Sequence, residues 1–193
     1  MQVISKENAN TLINNARHIL HKLPNSDNML DYYKTILHQC LNDNFQPTYL
    51  YQRTLSYFNS SFTLYWDTEK LINIAEHSPQ SFVETSFAYK LVDKDNILDS
   101  ELFKYNDSPI ILAAAPFLYN KFIPVDGNHR IVTSYKLKRK FMKAVILTPY
   151  QHCVAMNSCS ENVFKVCCNL YLYNAYISEA IEKDSLEKFL FKL

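Results

Sequence analysis

The first part of the chain carries apolar residues at helical spacing. Apolar side chains recur every three or four residues over positions 9–23, after Ser5, whose hydroxyl suits an N-cap, and before Pro24, which cannot continue a helix. A second stripe with the same period covers residues 29–41. Both segments are therefore predicted to be amphipathic helices with one buried face.

A third short helix is predicted farther along. Asp67 is placed to cap it, and it should end near His77, just before a Ser-Pro pair. The aromatic stretch 47–62 fits neither a helical nor a strand period clearly and is left unassigned. Residues 1–80 are predicted to form a helical N-terminal region.

The middle of the chain changes to patterns typical of strands. Apolar residues alternate with other residues over 87–91, and continuous apolar runs with turn residues beside them follow. Strands are predicted over residues 87–91, 110–112, 122–125 and 142–148, with a turn at 119–121. Residues 128–138 lie between the last two strands and have the length of a three-turn helix. The pattern predicts a unit of strand, Asp-Gly turn, helix and strand.

The tail returns to a helical period. Ser158 with Glu161 matches a capping box, a long apolar stripe covers 164–181, and Ser185 is placed to cap a last short helix. The predicted class is α+β: a small mixed sheet within 81–150, flanked by N-terminal helices and by a C-terminal helical region, 151–193, packed on that core.

Composition narrows the class of protein. The chain has 193 residues, of which 48% are hydrophobic and 20% are charged, as expected for a globular domain. Its longest apolar run, residues 110–119, is about half of what a membrane-spanning helix needs, and the first residues include no apolar signal region. We therefore expect a cytoplasmic protein without a membrane partner. The net charge of +1 disfavours nucleic acid as a partner.

The cysteines do not suggest a disulfide framework. There are five of them, an odd number, and four lie between positions 153 and 168. His152 beside Cys153 raises the alternative of a zinc site, but the chain contains no Cys-x-x-Cys pair. Free, buried thiols in a reducing compartment are the preferred interpretation.

One position stands out because it holds the single glycine of the sequence. Gly127 is the chain's only glycine, and it lies between a predicted strand and the helix that begins near Asn128. The first N–H groups of that helix favour an anion, His129 and Arg130 add donors, and Asp126 can orient or deprotonate a hydroxyl or hold a metal. The interpretation is a phosphate site with a base beside it. The competing interpretation is structural: a common Asp-Gly turn whose arginine pairs with a carboxylate.

Two stretches of this region, 108–112 and 122–130, resemble the ParB/sulfiredoxin superfamily, and the resemblance extends over residues 91–150. It implies a small mixed sheet whose G-x-H-R turn binds ATP or CTP. The D-G-x-H-R form is closest to the free-serine-kinase branch, which implies magnesium-dependent phosphoryl transfer to a small hydroxyl substrate. Carried over by position, the resemblance assigns catalysis to Asp126 and His129. It assigns the phosphate cradle to Gly127, Asn128, His129 and Arg130.

The chain departs from that superfamily at several positions. Lys138 occupies the place of the glycine that closes the helix, so we expect this turn to be built differently. Asn128 replaces the cysteine of sulfiredoxins, so we do not expect sulfinic-acid repair. The kinase branch uses a further acidic residue, for which this chain offers four candidates: Asp93, Asp95, Asp99 and Glu101. The tail after residue 150 is too short for the DNA-binding and dimerisation parts of partition proteins.

Two alternative functions remain. A non-catalytic nucleotide-sensing or protein-interaction module would keep the fold without the chemistry. A Fic-like AMP-transferase is the lesser alternative. Its motif, D-G-N-G-R, differs from the D-G-N-H-R of this chain at one place. However, Phe122 stands where the catalytic histidine of Fic proteins is expected, and Thr133 stands where a further arginine is expected.

The basic run 136–143 is a separate feature. Lys136, Lys140 and Lys143 would share one face if the helix continued through them, within reach of a nucleotide or a nucleic-acid backbone. A solvated helix end, whose cations suit the helix dipole, is the preferred interpretation.

Overall fold

The protein is a mixed α+β structure. The computed structural model describes residues 2–41, 50–92 and 106–193. The described helices are α1 (Lys6–Leu20), α2 (Ser26–Gln39), α3 (Thr68–Glu76), α4 (Thr85–Leu91), α5 (Asn128–Lys136), α6 (Pro149–Cys153), α7 (Ser158–Ile177) and α8 (Lys183–Phe189). The described strands are β1 (Leu50–Tyr57), β2 (Ser60–Asp67), β3 (Gln80–Glu84), β4 (Ile110–Ala114), β5 (Phe122–Asp126) and β6 (Phe141–Leu147). The predicted α+β class is confirmed at this level.

The chain divides into two compact units, and the first comprises Met1–Tyr65 with Met156–Leu193. Within it α1 packs on α2, and both contact α7. Ser5 caps α1 through its hydroxyl, and the apolar stripes predicted for α1 and α2 are buried as expected. The chain end is held by Asn169, whose side chain exchanges two hydrogen bonds with the backbone of Phe191.

The hairpin β1–β2 occupies most of the stretch that the sequence pattern left unassigned. Its two-residue turn consists of Phe58 and Asn59, both with positive φ, 49° and 57°. Such a turn matches the twist of the flanking strands, and glycine or asparagine usually supplies it. Phenylalanine in this conformation is uncommon, so the sequence carried no hairpin signal.

The second unit, Trp66–Ala155, contains a four-stranded sheet in the order β3-β6-β4-β5. The central strands β4 and β6 are parallel, and β3 and β5 pair antiparallel at the two edges. Pro124 lies in β5, where it is tolerated because an edge strand needs fewer backbone donors. The predicted strand, turn, helix and strand correspond to β5, Gly127, α5 and β6.

Helices α4 and α5 pack on each other and bury the apolar side chains of the sheet. The core cluster here consists of Ala88, Leu91, Val92, Ile110, Leu112, Ile131, Met142 and Ala144. Each of these side chains is at most 6% exposed. This packing fixes the position of α5 relative to β4.

The strand predicted over residues 87–91 is wrong, because these residues belong to helix α4. Thr85, Ala88 and Leu91 are buried at a spacing of three residues, which is the period of a helix face. The larger side chains at positions 87, 89 and 91 alternate as in a strand, and this pattern hid the three-residue spacing of the helix. The strand lies just before it, as β3, where no strand was predicted.

Two predicted helix caps also shift. Asn157, one residue before Ser158, caps α7 by accepting a hydrogen bond from the Ser160 backbone N–H. Helix α8 begins after Glu182, three residues before Ser185. In contrast, the Asp67 cap of α3 is confirmed by its hydrogen bond from the Lys70 backbone N–H at 3.0 Å.

The end of α5 corrects the expectation for Lys138. Lys138 takes the left-handed conformation itself, with φ 53°. The Arg139 N–H bonds the Ser134 carbonyl, and the Lys138 N–H bonds the Tyr135 carbonyl, both at 3.0 Å. This is the hydrogen-bond pattern of a Schellman motif. The turn is therefore built as a glycine would build it, with lysine in the strained position.

All five cysteines are free and buried, as predicted. His152 is also fully buried, where it accepts from the Trp66 indole N–H at Nδ1 and contacts the Ala114 carbonyl through Nε2. Burial lowers the pKa of His152 from 6.5 to about 4. In the described ranges, no helix combines the length and apolar character needed to cross a membrane.

Candidate functional site

The candidate site lies at the turn between β5 and α5. Strand β5 ends at Asp126, and Gly127 takes a left-handed conformation with φ 88° and ψ 18° before the first helical residue, Asn128. As the N-cap, Gly127 has no side chain with which to bond the first-turn N–H groups. The turn therefore presents the positive end of α5 beside the end of the strand.

No other residue fits at Gly127 without a shift of its neighbours. A Cβ built on Gly127 would lie 2.6 Å from Cγ2 of Ile110 and 2.9 Å from Nη2 of Arg130. Ile110 is fully buried in β4, so it has little room to move. The lone glycine is thus required twice, by its backbone conformation and by the close approach of a guanidinium and a core side chain.

Asp126 and Arg130 form an ion pair across the turn. Nη2 of Arg130 lies 2.5 Å from Oδ2 of Asp126 and also donates to the Pro109 carbonyl at 3.2 Å. The side chain of Asp126 is 41% exposed and that of Arg130 is 22% exposed. The competing structural interpretation predicted that the arginine would pair with a carboxylate. Arg130 is indeed held by contacts within the protein.

One donor of Arg130 is not used by this arrangement. Its Nε is buried and has no hydrogen-bond partner in the described part of the chain. A buried N–H without an acceptor costs about 1–3 kcal/mol, more when the group is charged. The guanidinium therefore gains free energy from any acceptor that reaches Nε.

The remaining two residues of the predicted cradle lie on the first turn of α5. The side chain of Asn128 donates from Nδ2 to the Pro124 carbonyl at 3.5 Å, which ties the helix start back to β5. His129 is exposed. All five residues predicted for the site, 126–130, therefore lie together at one strand end and one helical turn.

Among the described residues, the other candidates do not converge on this turn. Lys136 ends α5, Lys140 lies in the following loop and Lys143 lies in β6, so the expectation that they share a helical face is wrong. Phe122, at the place of a Fic histidine, packs edge to face on Phe87. The four candidates for the further acidic residue, between 93 and 101, lie outside the described residues.

The described residues do not form a metal site of their own. Among residues 2–41, 50–92 and 106–193, no three His, Cys, Asp or Glu side chains cluster as metal ligands. Magnesium is commonly held by one or two carboxylates together with substrate phosphates, and Asp126 is the carboxylate at this turn. A protein-held magnesium ion thus does not fit the described side chains without phosphate ligands.

Sequence reasoning missed two residues that shape the site. The Pro109 carbonyl holds Arg130, and the Ile110 side chain fills the space beside Gly127. Pro109 directly precedes β4, and Ile110 is its first residue, 17 positions before Gly127. The pairing of β4 with β5 brings them there, and only the predicted adjacency of the two strands hinted at it.

Comparison with protein-family models, with curated proteins and with solved structures finds no match for this chain.

Proposed function

We propose that this chain is a nucleotide-binding enzyme that transfers a phosphoryl group to a small hydroxyl compound. The observation that carries the proposal is the left-handed Gly127, which sets the Asp126 carboxylate and the Arg130 guanidinium side by side at the start of α5. A guanidinium with a helix N-terminus suits a phosphate, and an adjacent carboxylate suits a hydroxyl that attacks it.

The same proposal includes the ParB/sulfiredoxin-like fold for the second unit. The antiparallel pair β4–β5, the tight turn, α5 and the parallel return of β6 beside β4 support it. Five free, buried thiols support a reducing compartment such as the cytoplasm.

Arg130 would hold the phosphates. Its Nη2 is engaged by Asp126 and Pro109, and its buried Nε has no partner among the described residues. Because Nε is buried, a phosphate oxygen would reach it only after a movement of the side chain, but the guanidinium fork, 22% exposed, offers five N–H groups in all. The exposed His129 and the first N–H groups of α5 add donors on the same side of the turn. Bound ATP or CTP would supply the phosphoryl group.

Asp126 would take the hydroxyl proton. Its Oδ2 accepts from Arg130, and the described part of the chain places no partner on Oδ1. Because the carboxylate is 41% exposed, a small substrate can reach it from solvent. Arg130 fixes the carboxylate in orientation, so Oδ1 can accept a hydrogen bond from a hydroxyl group.

A second candidate is a nucleotide-sensing or protein-interaction module without catalysis. The Asp126–Arg130 ion pair favours it, because a carboxylate that neutralises its own arginine weakens both the base and the phosphate site. In this case Asp126 would act as a competitor that a nucleotide must displace.

Thermal unfolding and turnover separate these functions. We expect ATP or CTP at millimolar concentration to raise Tm, and Arg130→Gln to abolish the shift while the exposed Arg17→Gln control retains it. Asp126→Asn keeps the shape of the turn, so it should keep the Tm shift and lose ADP release with free serine as the first acceptor. Each nucleotide is tested with and without Mg²⁺.

The outcomes are distinct. A Tm shift without turnover on any small hydroxyl acceptor favours the sensing module. If neither nucleotide changes the Tm of the native protein, the enzyme and the sensing module both fail, and the turn is structural.

A further inference from the structure

The opposite end of α5 borders a cleft that the proposed function does not use. It has a volume of about 680 Å³ and is lined by Glu84, Ser86, Tyr89, Tyr135, Lys136, Lys138, Arg139 and Lys140. That volume is typical of sites for small molecules. Helix α5 has nine residues, so the cleft lies about 12 Å from the Asp126 turn along the helix axis.

The lining of the cleft is strongly cationic. Four of the lining side chains are cations, and Glu84 is the single carboxylate among them. The whole chain carries a net charge of only +1, so this excess is local. Arg139 pairs with Asp107 at 3.5 Å, but both side chains are well exposed, and such pairs are weak. An incoming anion would compete with Asp107 for Arg139.

The cationic loop is held in place rather than left loose. Lys138 adopts the left-handed conformation, and the backbone N–H of Thr85 donates to the Lys140 carbonyl at 3.1 Å. Tyr89 and Tyr135 stack at 3.8 Å between centroids with their planes 3° apart, which joins α4 to α5. The backbone and the tyrosines of the cleft are thus held in place, whereas the exposed cationic side chains would become ordered when a ligand binds.

Lys138 is the residue that the C-terminal Schellman turn does not explain. A left-handed lysine is strained relative to the right-handed conformation, and glycine would avoid that strain at this position. A general preference for cations near a helix end is already met by Lys136 and does not require this conformation. Lys121 and Glu179 take the same left-handed conformation, so the conformation alone does not mark a site, but at Lys138 it places a charge on the lining of the cleft.

We propose that this cleft is a second ligand site, separate from the Asp126 turn, that binds a small polyanion of the oligophosphate class. The group of four cations favours several phosphate groups in one ligand, and the cleft volume favours a small molecule over a nucleic-acid strand. The phosphates can come from free polyphosphate or from a nucleotide, whose base would lie against the tyrosines.

Calorimetric titration of the full chain with inorganic tripolyphosphate, ATP and AMP tests the proposal. The triple variant Lys138→Gln, Arg139→Gln and Lys140→Gln should bind tripolyphosphate about tenfold more weakly or worse, because charge-assisted contacts are lost. The matched control neutralises three exposed lysines of the first unit: Lys22→Gln, Lys188→Gln and Lys192→Gln. This control should bind tripolyphosphate within about twofold of the native protein. ATP binding tighter than tripolyphosphate at this cleft would identify a nucleotide as the source of the phosphates, and equal affinity would identify polyphosphate.

Lys138→Gly guards against a variant that fails to fold. It relieves the left-handed strain, so Tm should rise while tripolyphosphate affinity falls. The proposal is overturned if the triple variant binds tripolyphosphate like the native protein, or if the two triple variants weaken binding equally. It is also overturned if Arg130→Gln alone removes binding, or if only oligonucleotides bind, with affinity rising with their length. An effect of Arg130→Gln on nucleotide binding alone concerns the Asp126 turn and leaves this cleft untouched.

Discussion

At the scale of single residues, Gly127 and Arg130 depend on each other. The guanidinium lies in the space that a side chain at position 127 would fill, and its Nη2 joins Asp126 to the Pro109 carbonyl. The glycine thus permits the arginine to bridge β4 and β5 beside the helix start. The ion pair orients the carboxylate, and the buried Nε of Arg130 has no hydrogen-bond acceptor among the described residues. Structure and proposed chemistry share the same few atoms.

Gly127→Ala tests this dependence. A left-handed alanine costs about 1–2 kcal/mol, and contact with Ile110 and Arg130 adds to that cost. We expect a loss of about 2 kcal/mol or more in the free energy of unfolding, measured by chemical denaturation. A change within about 0.5 kcal/mol, the usual range for an unremarkable surface position, would show that the turn tolerates a side chain.

At the scale of elements, a left-handed residue lies just outside each end of helix α5, but only one of the two is glycine. Gly127 precedes the helix with φ 88°, and Lys138 follows it with φ 53°. Glycine is required at the first position by packing. At the second position it would be preferred by the backbone, yet lysine is present.

Lys138→Gly is accordingly predicted to stabilise the protein by about 0.5–1 kcal/mol, the gain from removing left-handed strain less the entropy of a freer unfolded chain. Denaturant unfolding measures the change, and Lys121→Gly, at another left-handed lysine with φ 60°, provides a comparison outside the cleft. Destabilisation by Lys138→Gly alone would mean that the lysine side chain contributes to folding.

A pH effect belongs to the packing of α6, which carries His152. The folded protein holds this imidazole neutral, with its pKa lowered from 6.5 to about 4 by burial. The unfolded chain therefore takes up a proton first as the pH falls. This contribution to stability is fully present above pH 6.5 and is lost progressively down to about pH 4, by up to about 3 kcal/mol.

Unfolding of the native protein and of His152→Gln, measured across that pH range, isolates the effect. Glutamine can still accept from Trp66 and donate to the Ala114 carbonyl, but it does not titrate. We expect the native protein to lose more stability than the variant as the pH falls. Parallel curves would show that His152 does not carry the pH dependence.

The helices and strands that were predicted correctly are those with a clear local signal in the sequence. Ser5 and Asp67 mark helix starts, and the apolar run of β4 and the glycine after β5 mark the strand, turn and helix of the site. The failures are places where two periods compete, as in α4, or where the turn residues are atypical, as at Phe58. The Asp126–Arg130 pair was open to prediction as one alternative from spacing alone. The contacts with Pro109 and Ile110 depend on strand pairing.

At the scale of the whole molecule, charge is nearly balanced but unevenly distributed. The net charge is +1, yet four cations line one cleft of the second unit, and a paired carboxylate and guanidinium mark the other end of α5. Composition alone predicted no strong preference for anions. The four cations are already neighbours in the sequence, within residues 136–140, and folding places residues 84–89 beside them. A single helix thus links two regions proposed to bind phosphate.

The most direct measurement of phosphate binding at the Asp126 turn is a nuclear magnetic resonance titration of the ¹⁵N-labelled protein with ATP and CTP, with and without Mg²⁺. Because Gly127 is the chain's single glycine, its amide signal can be identified at once, and Arg130→Gln identifies the Nε–H signal of Arg130. We expect both signals to shift in a saturable way as nucleotide is added. Saturation that moves only signals of residues 136–140, with those of Gly127 and Arg130 unchanged, would contradict phosphate binding at the turn.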